Sequence, residues 1–171
     1  MKKNEEYFDI VDDSGKIIGK APRSECHGNP ALIHRTVHAV VYHPDGRILL
    51  QKRSKNKDIQ PGKWDTAVGG HLDCGEDFQT AAVREIKEEL GISVNFSELE
   101  YLADAEIRND IESENIKIYK LISSGPFKFQ KEEISEIRFW KIDELRTAVS
   151  ETPEIFTPNL LTELELLEII K

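Results

Sequence analysis

The stretch from Gly70 to Ile92 reads GHLDCGEDFQTAAVREIKEELGI. Five residues separate Gly70 from Glu76, and seven more lead to Arg84-Glu85-Ile86-Lys87-Glu88-Glu89-Leu90-Gly91-Ile92. Fixed residue types at these spacings would coincide at a given start point with a chance below roughly 10⁻⁸, so the pattern is a signal. Its spacing predicts a helix with Glu85, Glu88 and Glu89 on one face, at i, i+3 and i+4. Val83, Ile86 and Leu90 fall on the other side and can pack on a core. An acidic stripe on a half-buried helix suits a hard divalent cation such as Mg²⁺. Three glutamates alone also fit a solvated surface, since like charges at this spacing cost only about 0.2–0.5 kcal/mol per pair. The complete spacing favours the metal.

That spacing resembles the Nudix box. The resemblance implies an α/β/α sandwich around a mixed β-sheet. It also implies a pyrophosphohydrolase that cleaves a nucleoside or other diphosphate linked to some group X, with Mg²⁺ or Mn²⁺. Glu85, Glu88 and Glu89, with the Gly70 carbonyl, would hold the cation, which lowers the pKa of a bound water. One of these glutamates, or Glu114, would take the water's proton. Glu76 and Arg84 would shape the loop and orient the ligands from behind. Taken alone, Arg84 would read as a surface ion pair worth under about 1 kcal/mol.

The 171 residues suffice for a single α/β domain, 1–171, with an N-terminal hairpin extension over about 1–34. A net charge of −9 argues against a nucleic-acid polymer as partner. No apolar run approaches a membrane span, and MKKNEEYFDI lacks the apolar stretch of a signal peptide. Cys26 and Cys74 form no CxxC pair, which points to reduced thiols and the cytoplasm. The expected partner is a small diphosphate-containing metabolite. The oligomeric state stays open between monomer and homodimer.

Strands are expected at Tyr7–Val11 and Lys16–Lys20, joined through Asp13-Ser14-Gly15. Residues 22–30 read as loop or a short helical turn. Thr36–Tyr42 and Arg47–Lys52 flank His43-Pro44-Asp45-Gly46, a hairpin signal. A basic loop spans residues 53–63, and Trp64–Gly70 reads as one strand. Asp77 caps a helix over Phe78–Leu90, and Gly91 stops it. Further strands are expected at Tyr101–Arg108, Asn115–Ile122 and Ile134–Lys141, with a last helix at Asn159–Ile170.

A second constellation lies outside the box: His27, His34, His71 and the alternating pair Glu112 and Glu114. Alternation in a strand would put both carboxylates on one face. Imidazoles with carboxylates suit Mn²⁺, Zn²⁺ or Fe²⁺ better than Mg²⁺ alone. Each residue alone reads as an ordinary surface or core group. Together, the stretch from Arg23 through Trp140 resembles isopentenyl-diphosphate isomerase, a divergent Nudix relative. The resemblance implies a second site for Mn²⁺ or Zn²⁺ at these five residues and a cation-binding role for Glu89. It implies diphosphate contacts from Arg23, Arg53 and Lys57, and an aromatic face from Trp140. Core packing is the alternative for Trp140 and for Trp64.

One position departs. The isomerase's catalytic cysteine belongs where this chain has Gly69. Glycine cannot titrate, so half of the acid–base pair that isomerisation needs is missing. Cys26, beside a histidine, is a weak substitute, and Cys74 reads as a packing residue. Three functions follow: a diphosphate hydrolase, an isopentenyl-diphosphate isomerase acting without that cysteine, and a non-catalytic diphosphate-binding module. The intact box and Gly69 favour the first.

Overall fold

In the computed structural model, which describes residues 5–171, Ile33–Tyr42 is the strand that joins every part of the sheet. In chain order the strands are β1 (Tyr7–Val11), β2 (Ile17–Pro22), β3 (Ile33–Tyr42), β4 (Ile48–Arg53), β5 (Trp64–Thr66), β6 (Val68–His71), β7 (Glu100–Arg108), β8 (Ser113–Ile122) and β9 (Ile134–Trp140). The helices are α1 (Arg23–Cys26), α2 (Phe78–Leu90), α3 (Ile142–Glu151) and α4 (Pro158–Leu166). Residues 1–4 of the expected N-terminal extension lie outside the described residues.

β8 runs parallel to β3 along its whole length. The opposite edge of β3 is shared in turn by β1 at Ile33, β6 at Thr36–Ala39 and β4 at Val41–Tyr42. A strand paired on both edges in a mixed sheet needs cover on both faces, and β3 has it. Val37, Ala39 and Val41 face α2 with Ile86 and Leu90. Val40 and Tyr42 face the other way, toward Leu145 of α3 and Leu160 and Leu164 of α4. This is the expected α/β/α layering. By the same alternation His34, Thr36 and His38 share the α3/α4 face.

Three elements differ from expectation. Trp64–Gly70 is two strands, because the chain leaves β4 at Thr66 and resumes against β3 at Val68; one ladder cannot serve both partners. α3 was not legible, since Leu145 is its one fully buried residue and no side chain caps its start. The last helix stops at Leu166, and Ile169 and Ile170 return to the core behind Glu168, whose φ is 56°.

α2 forms as its ends dictate. The Asp77 side chain accepts from Thr80 N–H at 2.7 Å, and Gly91 closes the helix at φ 68° with its N–H bonded to the Lys87 carbonyl. A Cβ on Gly91 would stand 2.5 Å from the Lys128 carbonyl oxygen. Gly91→Ala therefore combines a left-handed backbone with a clash. It should cost at least about 1 kcal/mol, read as a lowered urea midpoint with unchanged m-value.

Candidate active site

The box glutamates do not form one solvated stripe. Glu85 is buried where α2 crosses β6, and a Cβ built on Gly70 would overlap its carboxylate. The close approach of helix to strand therefore requires glycine at 70. Glu89 is tucked beside the next residue of the strand. Its Oε2 accepts from Gly69 N–H at 3.3 Å and from Gln51 Nε2 at 3.0 Å. Glu88 is left exposed, with Arg84 3.4 Å away. Burial, then the neighbouring Glu85 charge, raise the Glu89 pKa to about 8 against the two hydrogen bonds. Burial also raises Glu85, with Arg84 opposing it.

Arg84 holds the loop to the helix. It makes a two-pronged bond to Glu76, with Nε at 2.9 Å and Nη2 at 2.8 Å. Nη2 also donates to the His71 carbonyl at 3.0 Å, and Nη1 donates to Glu85 at 2.7 Å. Glu76 and Arg84 thus connect the box loop, the carboxylates and the strand that ends in His71.

His71 belongs to the second constellation. Ring nitrogens of His27, His34 and His71 and a carboxylate oxygen of Glu114 converge within 4.8 Å of one another. His27 Nε2 and His71 Nε2 face each other at 3.3 Å, and His71 Nε2 lies 3.1 Å from Glu114 Oε1. His34 Nε2, fully buried, lies 3.3 Å from the same oxygen but without hydrogen-bond alignment. Three Nε2 atoms pointed at one another and at one carboxylate cannot all be satisfied by protons. They match the donor set of a borderline cation. Burial, helped by the neighbouring His71 and Arg23, lowers His27 to about 4, and burial also lowers His71, so both present neutral imidazoles at neutral pH. Burial pushes against ionisation of Glu114, but the nearby His34 and His71 prevail and hold it below the usual carboxylate range. Phe8 of β1 stacks on His71 at 4.5 Å and on His34 at 5.3 Å, both at 14°, so the hairpin roofs the cluster.

Glu112 differs from expectation. It precedes β8 rather than alternating within it, and its Oε2 is 3.8 Å from His27 Nε2, at the rim of the cluster. Gly28 N–H bonded to the Ile111 carbonyl at 2.8 Å keeps these two loops together.

The residues assigned to the diphosphate are tied to acidic partners. Arg23 pairs with Glu6 at 2.9 Å, Arg53 with Asp65 at 3.1 Å, and Lys57 with Glu133. Trp140 does not join the cluster. It lies opposite Ile48 in the sheet, 4% exposed, edge-on to Trp64 at 5.2 Å and beneath Arg138. Its contacts are those of the core on the α3/α4 side. The cysteines also fall elsewhere: Cys26 is buried with Phe8, Ile10 and Ala21, and Cys74 is exposed rather than packed. Sequence reasoning missed Phe8, Gln51, His38 and Glu163, which sit in ordinary apolar or polar contexts and carry no spacing signal.

The model of the NUDIX domain family matches residues 32–160. The chain belongs to the Nudix family. An uncharacterized Nudix hydrolase of Yersinia pestis is 36% identical over 166 residues, 94% of this chain and 85% of the relative. An isopentenyl-diphosphate Delta-isomerase of Clavibacter michiganensis is 30% identical over 172 residues, covering 98% of this chain and 88% of the relative. The crystal structure of DR0079 from Deinococcus radiodurans superposes with a TM-score of 0.79 at 22% identity, over 95% of this chain and 99% of that one, which shows the shared fold. This Nudix chain is thus an enzyme of the pyrophosphohydrolase kind within an isomerase-like subgroup. Divalent-metal dependence is general to the family. No helix among the described residues is long and apolar enough to cross a membrane.

Two expectations test the geometry. Were Glu89 a ligand, metal and proton would compete for it, and Mg²⁺ affinity should rise about tenfold per pH unit below the Glu89 pKa and level off above it. Calorimetric titrations at pH 6, 7, 8 and 9 check this, and Glu89→Gln should remove the dependence. Gly70→Ala should displace Glu85 and weaken Mg²⁺ binding by about tenfold or more. It should spare Zn²⁺ binding at the histidines, since the side chains of residues 70 and 71 point to opposite faces of the sheet.

Proposed function

We propose that this Nudix enzyme hydrolyses a nucleoside diphosphate derivative or another small diphosphate–X compound, using Mg²⁺ or Mn²⁺. One observation carries the reading: Glu85 and Glu89 are seated on bare Gly70 and Gly69, with Glu88 beside them and no titratable side chain at position 69. Glu85, Glu88, Glu89 and the Gly70 carbonyl would hold the cation. When bound, the cation neutralises diphosphate oxygens and acidifies water. Arg84 orients Glu85 and opposes the burial that raises its pKa, and Gln51 orients Glu89. Among the four carboxylates, Glu114 is the poorest acceptor of the water's proton, because His34 and His71 stabilise its charge. The box glutamates are therefore the proton acceptors we favour. Arg23, Arg53 and Lys57 stand as the basic groups for the diphosphate, exchanging their present acidic partners for it. His27, His34, His71 and Glu114, with Glu112 at the rim, would hold Mn²⁺ or Zn²⁺.

The isomerase reading keeps the His/Glu cluster but lacks its thiol, and neither Cys26 nor Cys74 lies where Gly69 is. A phosphate-release screen over nucleoside diphosphate derivatives and isoprenoid diphosphates, with Mg²⁺ and Mn²⁺, tests the choice. Release of phosphate or of a monophosphate from at least one compound is expected. Glu89→Gln should reduce it by about 10²-fold or more while the melting temperature holds. Conversion of isopentenyl diphosphate to its allylic isomer, without free phosphate, would overturn the hydrolase reading.

A further inference from the structure

β3 carries a fourth histidine on the face that bears His34. The Nδ1 of His38 lies 2.5 Å from Glu163 Oε2 of α4, 125 residues away in sequence. Among the described residues that is the one hydrogen bond of the ring. The opposite edge points toward β6, where His38 stands across from Gly69. A Cβ on Gly69 would lie 3.3 Å from His38 Nε2 and Cδ2. Glycine at 69 thus leaves the Nε2 edge uncovered, and the side chain stays 13% exposed. Gly69 also donates its N–H to Glu89. His71 is one diagonal step away across the β3–β6 pair, about 7–8 Å. The open imidazole edge therefore shares the sheet face of the histidine cluster and lies over Gly69, the residue whose N–H binds Glu89.

The geometry points to a ligand. Both donor sets contain carboxylates, so a diphosphate placed beside them needs a donor of its own. We propose that the Nε2–H edge of His38, backed by Glu163, binds a phosphoryl oxygen of a diphosphate lying over Gly69. Burial alone would discharge the ring. Glu163, by charge and by hydrogen bond, outweighs burial and holds the His38 pKa at about 9, with Glu114 and Asp65 adding in the same direction. The ring is thus a cation at neutral pH, and both of its nitrogens are donors. A charge-assisted bond to phosphate is the strong kind. The proposal takes its ligand from the diphosphate reading above but not its readout.

The test is calorimetric titration of methylenediphosphonate, which has no cleavable P–O–P bridge, in the presence of Mg²⁺. Wild type should bind, and His38→Gln should bind about tenfold or more weakly. Gly69→Ala adds a methyl at the Nε2–Cδ2 edge, beside Thr66 and away from the His38–Glu163 bond. It should also weaken binding, with its melting temperature unchanged. A histidine that merely fastens α4 to the sheet would make Gly69→Ala silent. A folded variant of either kind binding within about twofold of wild type overturns the proposal, as does a wild type that does not bind the probe. Because turnover is not measured, a negative phosphate-release screen would refute the hydrolase reading and leave this contact standing. Positive turnover with unaltered binding by His38→Gln would refute the contact alone.

Discussion

The approach of α2 to the bare backbone of Gly69 and Gly70 is the contact on which the rest of the site depends. Glu85 occupies the space a side chain at 70 would take, and Glu89 receives the Gly69 N–H. Carboxylates buried this way are costly unless something offsets their charge. Arg84 does so for Glu85, at 2.7 Å. Glu89 has only neutral donors, and its pKa of about 8 records the deficit. A divalent cation beside it would offset that deficit.

The same strand orders the second site. β6 is four residues long, and alternation sends Gly70 to the α2 face and His71 to the other. Arg84 reaches round to the His71 carbonyl, so the guanidinium that steadies Glu85 also steadies the backbone of a cluster histidine. The two donor sets are coupled through one short strand and one side chain. The β1–β2 hairpin then closes the cluster with Phe8, and Asp9 ties it to Arg35 at 2.7 Å and to Gly75 N–H of the box loop at 2.8 Å. The N-terminal extension is a wall of the site rather than an appendage.

Much of this was legible in sequence because it is local. The cap at Asp77, the stop at Gly91 and the helix between them follow from neighbouring residues alone. The α/β/α layering and the convergence of His27, His34, His71 and Glu114 were reachable through family resemblance, which carries long-range information that spacing lacks. What escaped was non-local. The switch of partners at Ala67 depends on where β3 and β4 diverge. The burial of Glu85 depends on a strand fourteen residues back, so helical periodicity alone placed Glu85 and Glu88 on one face when only Glu88 is exposed. Trp140 was assigned to substrate by resemblance, and tertiary packing against Trp64 and Phe156 claims it instead.

His38 and Glu163 show why such pairs stay invisible until the chain is folded. Neither residue has a neighbour in sequence that marks it, and each alone would be an unfavourable buried group. Their meaning comes from α4 packing over the middle of β3, which makes one residue the counter-charge of the other. At position 69 the backbone N–H binds Glu89, and the missing side chain leaves the Nε2 edge of His38 uncovered. A side chain at 69 would cover that edge. Under the proposed contact, the residue that stands where the isomerase has its thiol is thus the same one that leaves a cationic donor open to a diphosphate.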